Sequence, residues 1–229
     1  MIKKDNTIYF LVPGFLGNFS EGLFKKIENL LLKHGKKIHK CSFAGYEKGE
    51  LLLPTINEML TIIQSNFKIT REKNPSAEIV LIAHSQGCGL VSKIINIFDK
   101  KTKFFFLAPA INLDKLMLDR IPKKIIEKIL RNESVLYEIS KDKHKVLNKK
   151  MILSYIHFKI NKKIIKENNK SIHIIRPKND YIPKEDTLTI LDNSKNIKYS
   201  EVNGDHCFRN KDAFIKKLFE IIMTGEANE

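Results

Sequence analysis

The sequence predicts an α/β protein with a mostly parallel central sheet and helices on both faces. Three observations predict it. Short continuous apolar runs end in turn residues, as in TIYFLV before Pro13-Gly14 and KFFFL before Ala108-Pro109; strands buried on both faces read this way. Between these runs lie stretches with apolar residues at helical spacing. The two patterns alternate along most of the chain, as they must where helices cover a parallel sheet.

Residues 7–12 are the first strand. The N-terminus starts basic and turns apolar, as a secretory leader does, but its apolar part is short and runs straight into Pro13-Gly14-Phe15, so it reads as a buried strand. Residues 21–34 have helical spacing through Leu23, Ile27, Leu30 and Leu31, and Gly35 stops them. Residues 37–43 are a second strand, broken at Ala44-Gly45, and 53–67 are helical, with Ile56, Leu60 and Ile63 on one side. EIVLIA (78–83) is the third strand, 87–98 a helix, and 103–107 the fourth strand. SIHIIR (171–176) and IKYSEV (197–202) read as two more, followed by helices near 183–191 and 210–223.

Residues 110–170 break the alternation and read as helices only. IPKKIIEKILR (121–131) sets Ile121, Ile125, Ile129 and Leu130 on one stripe, and Pro122 suits a first helical turn. Residues 151–165 are similarly amphipathic. The expected organisation is a core of 1–109 and 171–229 with a helical cap, 110–170, inserted after the fourth strand. A chain of 229 residues accommodates this as one domain with a substantial core.

Composition is globular: 42% hydrophobic and 29% charged, which excludes a disordered chain. No membrane span is expected, and the three cysteines, Cys41, Cys88 and Cys207, make neither a disulfide framework nor a metal spacing. A cytoplasmic setting without metal or other cofactor is therefore expected, with Cys88 and Cys207 as small fillers. Net charge is +15, and 111–170 hold 16 basic against 7 acidic residues. Such an excess either solvates the outer helix faces or favours acidic partners. Nucleic acid is not expected, because the charge is diffuse and no motif with interleaved aromatics accompanies it.

Within LIAHSQGCG (81–89), Ser85 stands between a strand and a helix, with Ala83 and Gly87 on either side. A serine projected above a sheet by a sharp strand-to-helix turn needs small neighbours of this kind. The competing reading is an ordinary serine cap on the 87–98 helix. A nucleophile also needs an acid and a histidine. Asp180 follows the SIHIIR strand and His206 follows the IKYSEV strand. The order Ser85, Asp180, His206 places each residue just past a strand, at the sheet edge where open α/β sheets hold their sites. His84, His173, Asp114 and Asp205 compete for these roles. His84 is next to the serine, His173 lies inside a strand, Asp114 lies beyond the fourth strand, and Asp205 belongs to the turn before His206.

From about residue 6 to 222 the chain resembles the α/β-hydrolase superfamily, through LVPGFLG (11–17), FAGYEKGE (43–50), AHSQG (83–87), NDYIP (179–183) and GDHCF (204–208). It is similar to the small capped esterases and thioesterases, among them acyl-carrier-protein methyl ester esterases and cinnamoyl-esterase-like enzymes. It departs from them at Pro13, where histidine is usual, and at Ala83, where glycine is usual; neither change removes a reacting group. The resemblance implies a catalytic triad of Ser85, Asp180 and His206, and an oxyanion hole from the backbone N–H groups of Phe15 and Gln86. It implies hydrolysis of an ester or thioester, with an acyl chain on an acidic acyl carrier protein as one substrate. Acyl transfer to another acceptor and non-catalytic ligand binding remain open on the same residues.

Overall fold

The computed structural model describes residues 6–47, 49–140, 143–167, 170–193, 196–208 and 212–224. Its frame is a six-stranded sheet of order β2-β1-β3-β4-β7-β8, in which every neighbouring pair is parallel. The strands are β1 (Thr7–Val12), β2 (Lys37–Lys40), β3 (Glu78–His84), β4 (Lys103–Leu107), β7 (Ile172–Asn179) and β8 (Ile197–Asp205). Alternate residues of each strand face opposite sides, which explains the continuous apolar runs. Phe10, Val12, Leu81, Ala83, Phe104 and Phe106 face one buried cluster. Tyr9, Leu11, Val80, Ile82, Phe105 and Leu107 face the other.

The second cluster is covered by α1 (Gly22–Lys33) and α9 (Asp212–Thr224), through Phe24, Ile27, Leu31, Leu218 and Ile222. On the first side lie α2 (Ile56–Lys73) and α3 (Gln86–Lys93), with Met59, Ile63, Leu90 and Val91 inside. The start of α2 is fixed by a capping box: the Thr55 hydroxyl accepts from the Glu58 N–H, and the Glu58 carboxylate accepts from the Thr55 N–H. Such a cap is typically worth about 1 kcal/mol. A short 3-10 turn at Ile95–Ile97 replaces the end of the helix expected over 87–98. No helix among the described residues is long and apolar enough to cross a membrane.

The segment between β4 and β7 departs from the helices-only expectation. It contains α4 (Leu113–Arg120), α5 (Lys123–Leu130), α6 (Lys149–Ile156) and α7 (Lys162–Glu167), but also an antiparallel ribbon of β5 (Val135–Ser140) and β6 (Lys143–Leu147). The period of β5 is two: Val135, Tyr137 and Ile139 pack against the core, while Leu136 and Glu138 are exposed. β6 docks on the core side, where the Val146 N–H donates to the Leu51 carbonyl at 2.9 Å and the buried Lys145 ammonium donates to the carbonyls of Gly45 and Glu50. The single helix expected over 151–165 is two, because the chain stops at His157 and restarts after Asn161, whose side chain accepts from the Lys163 N–H. α8 (Lys184–Leu191) follows β7 as expected.

Candidate active site

The strand register sets the site. Val12 pairs with Ala83, and His84 pairs with Leu107, so β1, β3 and β4 end at about one level. Ser85 directly follows β3 in a backbone conformation of φ 51° and ψ −121°, strained for a residue with a Cβ. Surrounding bonds hold it there. The Ser85 N–H donates to the Leu107 carbonyl at 2.9 Å, and the Ser85 carbonyl accepts from the N–H groups of Cys88 and Ala110. Its side chain makes no cap bond to α3, so the serine-cap reading fails. Gly87 lets this turn pack on β1: a Cβ there would come within 2.7 Å of the carbonyl oxygens of Val12 and Pro13. The Ala83 methyl group is fully buried beneath.

Asp180 directly follows β7 and His206 directly follows β8. The structure brings both to Ser85. His206 Nδ1 lies 2.8 Å from Asp180 Oδ1, and His206 Nε2 lies 2.8 Å from Ser85 Oγ. A carboxylate accepts, so Nδ1 carries the proton and donates, and Nε2 is left to accept from the serine hydroxyl. Ser85 and His206 are buried, and the Asp180 side chain is fully covered. Asp180 Oδ1 also accepts from the Ile182 N–H at 2.9 Å. Arg176 is buried beside it, 3.6 Å from Oδ2, and donates to the Ile182 carbonyl and the Thr187 hydroxyl. This arginine braces the acid loop, and sequence reasoning missed it. The available signal was a charged residue closing the apolar strand SIHIIR.

The competing residues lie elsewhere. Asp114 forms an ion pair with Lys159. His173 bonds the Ser200 hydroxyl at 2.8 Å within the sheet, and its pKa is pushed down to about 4, first by burial and then by Lys198. Asp205 shapes the turn, its carbonyl accepting from the Phe208 N–H. Cys88 is buried as expected, while Cys207 is only half-buried.

His84 turns away from Ser85, and its Nε2–H donates to the His206 carbonyl at 2.8 Å. Burial, followed by the nearness of His206, pushes its pKa down to about 3. The unfolded chain takes up this proton near pH 6.5, while the folded protein keeps His84 neutral. Its contribution to stability is therefore complete above about pH 6.5 and is lost as pH falls toward 3, at up to about 1.4 kcal/mol per pH unit. His84→Gln should flatten this part of the profile. Urea unfolding from pH 7 to 4.5 measures it, and equal slopes in both proteins would refute this account.

Gln86 and Phe15 border the same cavity as Ser85, a narrow space of about 30 Å³ also walled by Ala110, Leu113, Tyr155 and Ile182. The chain at Gly14 packs directly on the serine, since a Cβ at this position would come within 2.9 Å of the Ser85 Cβ. The Gln86 side chain is held by Tyr46 and Tyr155, each at 3.0 Å, which ties α6 to the turn after Ser85. A second cavity, of about 270 Å³, shares Phe15, Met117 and Arg120 with the first. An open groove of about 600 Å³ between α2 and α6 borders none of the site residues.

No family model matches the chain, and no curated protein matches it. Solved structures do. Est1E from Butyrivibrio proteoclasticus is 16% identical, with a TM-score of 0.73 over 97% of this chain and 87% of that one. Mouse alpha/beta hydrolase domain-containing protein 10 is 17% identical, with a TM-score of 0.67 over 96% and 89%. The Paleococcus ferrophilus monoacylglycerol lipase is 16% identical, with a TM-score of 0.67 over 96% and 95%. With its parallel sheet order and a segment inserted between β4 and β7, the chain has the α/β-hydrolase fold.

Proposed function

We propose that the protein is a serine hydrolase that cleaves carboxylic esters or thioesters through an acyl-enzyme on Ser85. The observation that carries this reading is the unbroken hydrogen-bonded line from Ser85 Oγ through His206 to Asp180, at the sheet edge and beside a cavity. In this reading Ser85 Oγ attacks the substrate carbonyl as His206 Nε2 takes its proton. The oxyanion forms within reach of the Phe15 and Gln86 backbone N–H groups, where each donor is worth about 3–4 kcal/mol of transition-state stabilisation. Collapse breaks the ester bond, and the leaving alcohol or thiol takes the proton from His206. Water then attacks the acyl-serine with His206 as base, releasing the acid and restoring Ser85. Asp180 holds the imidazole orientation throughout and stabilises its positive charge.

The segment 110–170 acts in this reading as a cap, since Leu113, Leu116, Met117 and Arg120 from α4 and Tyr155 from α6 border the cavity at the serine. An acidic carrier for the acyl chain is supported by charge: Lys123, Lys124 and Lys128 are exposed on α5. Long-range attraction of this kind raises encounter rates and weakens with salt. The test has two arms. A fluorophosphonate probe should attach to Ser85, located by peptide mass, and attachment elsewhere or nowhere overturns the hydrolase reading. Added salt should depress kcat/KM for an acyl-carrier ester much more than for a small ester of the same acyl chain; equal responses remove the carrier.

A further inference from the structure

Arg120, the last residue of α4, borders both the cavity at Ser85 and the neighbouring 270 Å³ cavity. Its guanidinium carbon sits 4.9 Å from the centroid of the Tyr181 ring, and that ring lies 4.3 Å from the His206 ring. The cation is thus within about 9 Å of the imidazole. Among the described residues no carboxylate lies within 4.0 Å of it. On the wider cavity it is flanked by Phe15, Met117, Ile121 and Ile139 and by Tyr137, whose hydroxyl donates to the Arg120 carbonyl at 3.3 Å. A cation is also favoured at a helix C-terminus, but that preference would be satisfied with the side chain in water. Arg120 and Tyr181 are both exposed, yet the guanidinium lies over the tyrosine ring, at the border of both cavities.

From this placement we propose that Arg120 selects substrates bearing an anionic group, and that the preferred substrates are esters carrying a carboxylate a few bonds from the scissile carbonyl. The proposal rests on the hydrolase reading and names its substrate class. A guanidinium offers a carboxylate two parallel N–H donors; its side-chain partner here is the Tyr181 hydroxyl, and no carboxylate of the described residues occupies it. The narrow cavity at Ser85 takes the reacting carbonyl, the wider one takes the rest of the molecule, and Arg120 stands where a chain passing between them carries its charge. The Tyr181 ring contacts both groups, the guanidinium at 4.9 Å and the tilted His206 ring at 4.3 Å, and so links the proposed anion site to the catalytic base.

The test uses matched pairs of esters that differ in one carboxylate, followed by proton release: monomethyl adipate against methyl hexanoate for the acyl side, and 4-butyryloxybenzoate against phenyl butyrate for the alcohol side. The intact protein should favour the anionic member of at least one pair about tenfold in kcat/KM, the effect of one charge-assisted contact. Arg120→Gln should remove most of that preference, chiefly through KM, and Arg120→Lys should keep part of it. No preference in either pair, or a fall of both members by the same factor in Arg120→Gln, overturns the proposal. Failure to hydrolyse any of the four esters, together with absence of probe labelling at Ser85, would count instead against the hydrolase reading.

Discussion

Ser85→Ala is expected to lower kcat for an activated ester by about 10⁴- to 10⁶-fold, and His206→Ala by a similar factor. The two should not add. Once the nucleophile is gone the base has nothing to activate, so the double variant should turn over no more slowly than either single one within about tenfold. The fold should survive in Ser85→Ala. Alanine keeps the Cβ, and the strained backbone is held by bonds from main-chain groups: Ser85 N–H to Leu107, and the Ser85 carbonyl to Cys88 and Ala110. The hydroxyl contributes one bond, to His206 Nε2. Steady-state rates set beside thermal unfolding curves check this. Near-normal turnover in both single variants, with an unchanged melting temperature, would end the assignment of Ser85 and His206 as nucleophile and base.

The residues that meet at this site were legible because each sits where a strand stops. EIVLIA and SIHIIR are dominated by apolar and β-branched residues over a few positions, and IKYSEV sets Ile197, Tyr199 and Val202 among polar ones, patterns that suit strands of that length. Once the strands are parallel, their carboxyl ends face one edge, and the first polar residues beyond them must converge. The Ser85, Asp180 and His206 side chains do so at 2.8 Å contacts. That His84 points away from Ser85 was legible, but its partner and the bracing contacts of Arg176 were not. Both depend on carbonyls far away in sequence or across a turn, His206 for the one and Ile182 for the other, and no spacing rule encodes such partners.

The insertion was the hard part to read, for two physical reasons. In β6 the sequence KHKVL sets three basic residues before two apolar ones, which resembles a solvated helix face; its strand form depends on pairing with β5 and on the buried Lys145 reaching the carbonyls of Gly45 and Glu50. The break between α6 and α7 carries neither glycine nor proline. It is marked by an asparagine cap, since Asn161 accepts from the Lys163 N–H before α7, as Asn148 accepts from the Met151 N–H before α6. Local capping of this kind competes with helix continuation and was the available sign that 151–165 is not one helix.

Asp180→Asn is expected to cost about 10⁴-fold in kcat. With a carboxylate at this position, only the Nδ1–H tautomer of His206 fits the 2.8 Å contact, and Nε2 is left free to take the serine proton. An amide offers both a donor and an acceptor, so it can stabilise the opposite tautomer, whose Nε2–H would face Ser85 and block proton transfer. It also cannot balance the imidazolium that forms as Ser85 attacks. The substitution removes the charge that faces the buried Arg176 guanidinium at 3.6 Å, and unbalancing a buried pair is destabilising. Rates must therefore be referred to the folded fraction at each temperature. Asp114→Asn supplies the contrast: Asp114 pairs with an exposed lysine, Lys159, and its loss should leave kcat within a few-fold. If Asp114→Asn were instead the crippling change and Asp180→Asn the mild one, the acid would belong beyond β4, and the Asp180 contact with His206 would be only a structural hydrogen bond.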